Sequence, residues 1–476
     1  MINKAVPNAL EDCKGREVAR DMIDRSSCES VRISSKCHEK RPVTLFSATI
    51  IVVANMIGTG VFTTLGFQLD SLPSAFAVLL LWVLGGVGAF CGALCYGELG
   101  AMMPRSGGEY TFLSEIYHPA LGFLSGWVSI VAGFAAPIAL AAIALGEYSA
   151  AIFPGIDKTV LAVSAILILS LVHLSDVKFG CYFQNIFTVG KILIIVSLIA
   201  LGFFAAHPQE ITLLPSRTDL GSVFSPAFAT SLVYVFYAYS GWNSASYVAG
   251  EIQNPERNLP LSLFIGTAIV SLCYVLLNFI FLYTVPINEL AGQIDVGYLS
   301  ARSIFGKGGG AMMTFLICLA LISSLSSLIM VGPRVAQTMS QDMKVFQFLS
   351  LTNSRGAPAS AIVLQSTVAI FLTLTSTFNA VLTYVGFTLA LFSSVAVLGV
   401  ILMRVRNPQE ARPFKTWGYP LTPAVFLVLY GWMLCYLFIE RPLPSFCGLL
   451  TVASGLLFYK LLAAPTPHKS QVKVIE

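Results

Sequence analysis

Apolar residues fill long runs of this chain, and short polar stretches separate the runs. A run of roughly 20 apolar residues is long enough to span about 30 Å of hydrocarbon as a helix. The runs are apolar on nearly every face, so their length and not their periodicity predicts helices. Short alternating strands of the kind that form a membrane barrel are absent from the pattern. We therefore predict an all-α polytopic membrane protein with about twelve transmembrane helices, near residues 43–69, 73–103, 120–153, 159–176, 180–206, 223–250, 259–286, 311–341, 359–377, 380–403, 420–438 and 443–463.

The first run contains Gly58-Thr59-Gly60 near its middle, and the sixth contains Ser240-Gly241. A helix that breaks in hydrocarbon must line something polar, because no water is available there for the freed backbone groups. A half-helix that starts at such a break offers free N–H groups and a positive dipole end to a small anion. The alternative is that the glycines only let another helix approach closely.

Composition supports the membrane assignment and places the two sides of the membrane. The chain is 56% hydrophobic and 11% charged, with a mean hydropathy of +0.79. If the N-terminus is inside, 22 of the 28 Lys and Arg residues lie in the tails and inner loops, which orients the chain with both termini cytoplasmic. The net charge of +4 thus reflects topology and gives no reason to expect nucleic acid.

The first 41 residues are polar, contain nine of the Lys and Arg residues and lack an apolar core. We interpret them as a cytoplasmic tail and not as a cleaved signal peptide. The ten cysteines lie in this tail and in or beside the spans, so no disulfide framework is implied. Neither the cysteines nor the five dispersed histidines form a metal-binding pattern, and we expect no metal and no cofactor.

Four motifs in order resemble the amino acid-polyamine-organocation (APC) superfamily of transporters, and most closely its L-type amino acid transporter-like branch. They are residues 56–62 (Met-Ile-Gly-Thr-Gly-Val-Phe), 96–110 (Tyr-Gly-Glu-Leu through Pro-Arg-Ser-Gly-Gly-Glu-Tyr), 238–260 (from Ala-Tyr-Ser-Gly-Trp-Asn) and 412–420 (Arg-Pro-Phe-Lys-Thr-Trp-Gly-Tyr-Pro). The sequence departs from the family at Ser240, where Gly is usual, at Tyr237, where Phe is usual, and at Pro333, which should bend or break the eighth span.

The resemblance implies a domain organisation with an internal 5+5 inverted repeat. The cytoplasmic N-terminal tail would cover residues 1–41, the transporter domain 42–463 and the cytoplasmic C-terminal tail 464–476. Within the domain, residues 42–206 and 223–403 would be two repeats, each beginning with a broken helix, and residues 420–463 would form two additional helices.

Lys191 lies about 11 residues, or roughly 16 Å of helix rise, inside the fifth span. Its side chain cannot snorkel that far, and an ammonium at this depth is expensive, so a function is the first interpretation. The alternative is a structural partner for carbonyls of the broken first helix. The resemblance implies that the ammonium stands where sodium binds in sodium-coupled relatives, and burial also allows proton coupling through this lysine.

The two breaks together suggest how an amino acid would bind. Its carboxylate would lie on the N–H groups of the first break, and its ammonium would contact carbonyls around both breaks. Its side chain would face aromatic residues of the sixth span. No carboxylate is apparent at the breaks to balance a cationic side chain, which favours neutral substrates. The candidate substrate-binding residues are Met56, Ile57, Gly58, Thr59, Gly60, Tyr237, Ala238, Tyr239, Ser240 and Trp242.

Four other polar residues receive gating or structural roles. Glu98 and Glu251 each follow a span near the predicted cytoplasmic side, where they pair with arginines or helix ends or form an inner gate. Asn55 and Asn243 flank the breaks and are expected to satisfy loosened backbone groups. Ser324 and its neighbouring serines are expected to pack or to bond to carbonyls one turn earlier.

We therefore predict a multi-pass transporter of the plasma membrane, which is the inner membrane if the source is bacterial, that carries neutral L-amino acids by alternating access. It would be sodium-independent and either an exchanger or a proton-coupled carrier. The rival functions are a carrier of polyamines or cationic amino acids, a channel, and an intramembrane enzyme, for which Lys191 lacks a nucleophile partner. Residues 153–159, the outer loop after the third span, contain no cysteine, so a covalent heavy-chain partner is not supported, while a non-covalent partner stays open.

Overall fold

This computed structural model describes residues 41–150, 155–175, 177–204, 208–211, 214–343, 347–349, 351–353 and 357–462. Most of the two predicted tails, residues 1–40 and 463–476, lies outside the described residues, as do Phe153 and Pro154 of the outer loop. The chain divides into residues 1–43 and residues 44–476, and the architecture below is that of the second unit.

The described residues form α-helices joined by short connections, with no β-strand among them. They also include one π-helix, Ser129–Phe134, and one 3₁₀-helix, Ser244–Glu251. The α-helices are α1 (Leu45–Met56), α2 (Gly60–Ser71), α3 (Ala75–Met102), α4 (Glu109–Ile116), α5 (Pro119–Val128), α6 (Ala135–Ala150), α7 (Lys158–Ser175), α8 (Val177–Gly202), α9 (Arg217–Val223), α10 (Pro226–Tyr239), α11 (Pro255–Thr284), α12 (Ile287–Leu290), α13 (Val296–Asp342), α14 (Ala359–Thr375), α15 (Phe378–Arg406), α16 (Leu421–Glu440) and α17 (Pro442–Leu462).

These helices correspond to the twelve predicted spans, and the protein is an all-α polytopic membrane protein. Within the described part of the chain, nine helical segments are long and apolar enough to cross a membrane. Two shorter apolar helices, Ile186–Gly202 at the end of α8 and α14, match the fifth and ninth spans. The sixth span is α10 with the 3₁₀-helix after it.

Side-chain caps fix where several of the spans begin. Thr44 accepts a hydrogen bond from the Ser47 N–H at 3.2 Å, and Ser74 accepts one from the Ala77 N–H at 3.2 Å. Ser225 caps α10 in the same way, and Pro226 follows it at a position where no N–H is needed. These side chains satisfy N–H groups that have no partner within the helix.

Helix packing brings distant parts of the chain to the two breaks. α11 lies along α3 and also contacts α1, while α13 packs against α6 and α8. A cluster of buried apolar residues joins α6, α7, α13 and α14, with Ile138, Ile166, Leu325 and Ile362 at its centre. The broken first helix, α1 and α2, therefore has α11 on one side and α13 on another.

Of the expectation that Pro333 bends or breaks the eighth span, the break is wrong, because α13 continues through this residue to Asp342. Proline removes one N–H from the helix ladder. Side chains satisfy neighbouring carbonyls of that turn: Gln365 donates to the Leu328 carbonyl at 3.1 Å, and Arg334 donates to the Met330 carbonyl at 2.9 Å. Gln365 lies on α14, so a neighbouring helix supports the proline turn. The non-helical residue of α13 is instead Gly306, with φ of 71°.

Glu98, near the end of α3, is a buried carboxylate held by two arginines. Its side chain is 1% exposed. Arg404 donates two hydrogen bonds to it, at 2.9 and 2.6 Å, and the Thr416 N–H donates a third at 2.7 Å. The Arg412 guanidinium lies 3.4 Å from the same carboxylate. This arrangement ties α3 to α15 and to the loop before α16, in agreement with the structural role considered for Glu98.

Substituting Glu98→Gln should destabilise the protein by about 3 kcal/mol, because the buried partner of two guanidinium groups is lost. The measurement is the thermal unfolding midpoint of the purified protein in one detergent. Glu147→Gln is the matched control, since Glu147 pairs with Lys158 in a solvent-exposed ion pair, and its loss should change stability by less than about 1 kcal/mol. Equal midpoints for the two variants would contradict the structural role of Glu98.

Candidate functional site

The first predicted break is present. α1 ends at Met56, residues 57–59 are not helical, and α2 begins at Gly60. The first N–H groups of α2 have no partner within their own helix. The Thr59 hydroxyl lies beside them, 3.1 Å from the hydroxyl of Tyr237. The break thus presents N–H groups and two hydroxyls to one small region.

The second predicted break follows α10, which ends at Tyr239 and leads into a turn over residues 240–243. Gly241 has φ of +94°, a conformation that glycine adopts without strain. A Cβ on this glycine would lie 2.8 Å from the carbonyl atoms of Asn55. A Cβ on Gly60 would lie 2.5 Å from Cα of Ala238. The two breaks therefore lie directly against each other, and their glycines allow this approach.

Lys191 is 1% exposed and bonds to the end of α1. Its Nζ donates to the Ala54 carbonyl at 2.9 Å, to the Ile57 carbonyl at 2.6 Å and to the Ser324 hydroxyl at 3.1 Å. An ammonium has three N–H donors, so each has a partner. α8 thereby supports the first break at the carbonyls that the break leaves without helical donors.

The Tyr274 hydroxyl on α11 lies within hydrogen-bond distance of carbonyls at both breaks. This residue was not among those singled out from the sequence. Its hydroxyl bonds to the Met56 carbonyl and lies 3.1 Å from the Ala238 carbonyl. The only sequence signal is a hydroxyl in the middle of an apolar span, and such tyrosines are too common to be singled out.

The carbonyls at the first break differ in how many further hydrogen bonds they can accept. A carbonyl oxygen has two lone pairs. The Ile57 carbonyl accepts from Lys191 at 2.6 Å and lies 2.8 Å from the Ser324 hydroxyl, whose single proton can go to it or to the Ala320 carbonyl at 3.1 Å. The Met56 carbonyl has Tyr274 as its side-chain donor and so retains capacity for a further donor.

A cavity lies between the two breaks, and ten of the residues singled out from the sequence line it. They are Asn55, Met56, Gly58, Thr59, Gly60, Tyr237, Ala238, Ser240, Trp242 and Asn243. The breaks and their flanking residues therefore form one site.

Five other predicted residues lie outside the cavity lining. Ile57 and Lys191 are joined by the hydrogen bond that the Lys191 Nζ donates to the Ile57 carbonyl. The Tyr239 hydroxyl donates to the Trp82 carbonyl at 3.0 Å, so this ring faces α3. Glu98 belongs to the arginine cluster described above, and Glu251 lies 3.7 Å from Arg334 on α13.

The two flanking asparagines differ from each other. Asn55 donates to the Ile51 carbonyl at 2.9 Å, a group one turn earlier within α1 and not one loosened by the break. Asn243 instead donates to side chains, the Glu109 carboxyl and the Tyr247 hydroxyl. The expectation for Asn243 therefore has to be revised, because the fold brings a carboxyl from α4 to it.

A second wall of the cavity comes from helices in which no site residue was singled out from the sequence. The π-helix and α6 contribute Phe134 and Pro137, and α15 contributes Leu389 and Ser393. Proline at 137 cannot donate to the carbonyl one turn earlier, and the widened π-turn lies directly before it. A proline in the middle of the third span was the one available hint.

Comparisons with known proteins agree with this architecture. Residues 43–454 match the profile of the family described as amino acid permease. The mouse b(0,+)-type amino acid transporter 1 is 28% identical over 454 residues, covering 92% of this chain and 91% of that protein. The mouse Asc-type amino acid transporter 1 is 27% identical, covering 87% of this chain and 80% of that protein. The mouse large neutral amino acids transporter small subunit 2 is also 27% identical, covering 89% and 81%.

Gly60→Ala and Gly58→Ala should behave differently although both add one methyl group. At Gly60 the methyl would meet backbone of α10, so we expect a loss of about 1–3 kcal/mol from overpacking. At Gly58 the nearest atom is the Met56 carbonyl oxygen at 3.8 Å, so the fold should stay intact. Thermal unfolding of both variants is the measurement, and equal midpoints would mean that the breaks do not touch as described.

Proposed function

This chain belongs to the amino acid permease family and is a membrane transporter of amino acids, not an enzyme, and from that premise we propose that its substrates are neutral L-amino acids. The observation that carries this proposal is the cavity lining, in which none of the described residues is charged. A cationic or anionic side chain would enter this cavity without an ionic partner at the lining, which is costly.

In this proposal the main chain of the two breaks holds the part that all amino acids share. The carboxylate lies on the N–H groups of Gly58, Thr59 and Gly60 at the start of α2, where the helix dipole favours a negative group. The Thr59 hydroxyl adds a hydrogen bond. The ammonium contacts carbonyls at Met56 and at the end of α10, and not the Ile57 carbonyl, which already accepts from the Lys191 ammonium.

The variable side chain of the substrate then faces the other wall. Phe134, Pro137 and Leu389 give that wall an apolar character, while Tyr237 and Trp242 lie beside the breaks. Alternating access would expose this one site to the two sides of the membrane in turn.

We further propose that transport is sodium-independent, either by exchange or by proton coupling, and that the protein lies in the plasma membrane with both termini cytoplasmic. The proposed sodium independence is supported by Lys191, because its ammonium bonds to carbonyls that a sodium ion could otherwise coordinate. One relative is named a small subunit. For this chain we propose no disulfide-linked partner at the loop of residues 153–159, because that loop has no cysteine.

The test is uptake into proteoliposomes that contain the purified protein. A panel of radiolabelled neutral L-amino acids, together with lysine and putrescine, is offered with and without unlabelled amino acid inside. We expect saturable uptake of neutral amino acids. The absence of saturable uptake for every compound would overturn the proposal, and uptake confined to lysine or putrescine would favour a carrier of cations.

Lys191→Met should leave the Ala54 and Ile57 carbonyls without their donor, which costs about 1–3 kcal/mol for each unsatisfied group. We expect a lower unfolding midpoint and loss of most uptake, while uptake by the unmodified protein is unchanged when choline replaces sodium. Lys158→Met is the matched control, because it removes an exposed lysine. An absolute sodium requirement, or normal uptake by Lys191→Met, would contradict the role given to Lys191.

A further inference from the structure

Glu109, the first residue of α4, is a buried carboxyl next to the cavity. It is 4% exposed. Its Oε1 accepts hydrogen bonds from the Tyr96 hydroxyl, at 2.9 Å, and from the Asn243 side-chain amide. Its Oε2 is buried and forms no hydrogen bond of normal geometry among the described residues, while the nearby Tyr247 hydroxyl stabilises the ionised form of the carboxyl.

Glu109 also lacks a cationic partner among the described residues. Glu98 shows the contrast, since its carboxylate faces two arginines. An ionised carboxylate without a partner is one of the most expensive groups to bury, whereas a protonated carboxyl is much less so. Burial accordingly raises the pKa of the Glu109 carboxyl, which lies on a connecting helix and outside the membrane-spanning segments.

The carboxyl is one hydrogen bond away from the transport site. Asn243 belongs to the second break, and both Asn243 and Tyr247 line the cavity. The contact between α4 and this region is close, because a Cβ on Gly108 would lie 2.5 Å from the Tyr247 ring. A change of charge on Glu109 therefore acts directly on Asn243 and on the segment of residues 240–251 that follows α10 and contributes to the cavity lining.

Among the ionisable groups of this region, Glu109 is the one that we expect to change its protonation state near neutral pH. Tyr96 faces it from α3 and Tyr247 from the 3₁₀-helix, and tyrosine ordinarily titrates near pH 10. Several charged residues of the neighbouring elements have partners of their own, and Arg406 at the end of α15 is exposed. Glu98 pairs with the two arginines named above, Arg105 pairs with Asp342 at 2.7 Å, and Glu251 lies near Arg334.

We propose that Glu109 is a proton-binding site whose protonation releases residues 240–251 and so permits transport. The ionised carboxylate is the stronger acceptor and holds Asn243 tightly. A proton taken up from water onto Oε2 weakens that hold, and its return to water restores it. This inference rests on the proposed function, since it assigns a control step to the same site.

The experiment measures exchange of a neutral amino acid in proteoliposomes with equal pH on both sides, from about pH 5 to pH 8. Flux through the unmodified protein should rise several-fold as the pH falls. Glu109→Gln, which mimics the neutral carboxyl, should give a flat profile that stays high at the alkaline end. Glu115→Gln is the matched control, because Glu115 lies on the same helix but is exposed, and it should keep the normal profile.

A second measurement decides the matter even if Glu109→Gln does not transport. Infrared difference spectra between acid and alkaline samples should show the carbonyl stretch of a protonated carboxylic acid, and Glu109→Gln should lack it. The proposal is overturned if the variant keeps the normal pH profile or the infrared band. It is also overturned if flux through the unmodified protein ignores pH, or if the variant loses only the uptake of lysine. Failure of all uptake would end the proposed function, and the spectra would still test Glu109.

Discussion

The structure depends on how a few backbone carbonyls find donors inside an apolar interior. A helix that stops in the middle of a membrane exposes the carbonyls of its last turn, and no water is present to bond to them. Here Lys191, Ser324 and Tyr274 supply the donors, from three other helices. Without these side chains the carbonyls at the end of α1 would lose their donors.

The same constraint explains why two breaks lie together. Tyr274 bonds to carbonyls of both, so one hydroxyl supports the end of α1 and the end of α10. The glycines at 60 and 241 bring the two segments close enough for this. Three features follow from one physical need: the small residues, the central tyrosine and the buried lysine.

The sequence allowed some of these features to be predicted and hid others. Glycines in the middle of an apolar run, and a lysine too deep to reach water, are anomalies within one span, so they could be recognised without a structure. The roles of Tyr274, Phe134 and Glu109 depend on the residues that the fold places beside them. The sequence around each of the three does not reveal those neighbours. Pro333 shows the reverse error. Its local effect was predicted from one helix, but α13 stays helical through it, with Gln365 of another helix bonded to the Leu328 carbonyl of the same turn.

In the proposed binding mode, main-chain atoms of the two breaks hold the substrate, and this has a consequence for how such a protein can diversify. A point mutation changes a side chain but cannot delete a peptide N–H or carbonyl, except through proline. Most point mutations would therefore leave the groups that bind the common zwitterion in place. The second wall, with Phe134, Pro137 and Leu389, consists of side chains and is open to change at each position. A gene duplicate could thus acquire a new selectivity by altering that wall alone, while inheriting the means of holding an amino acid unchanged.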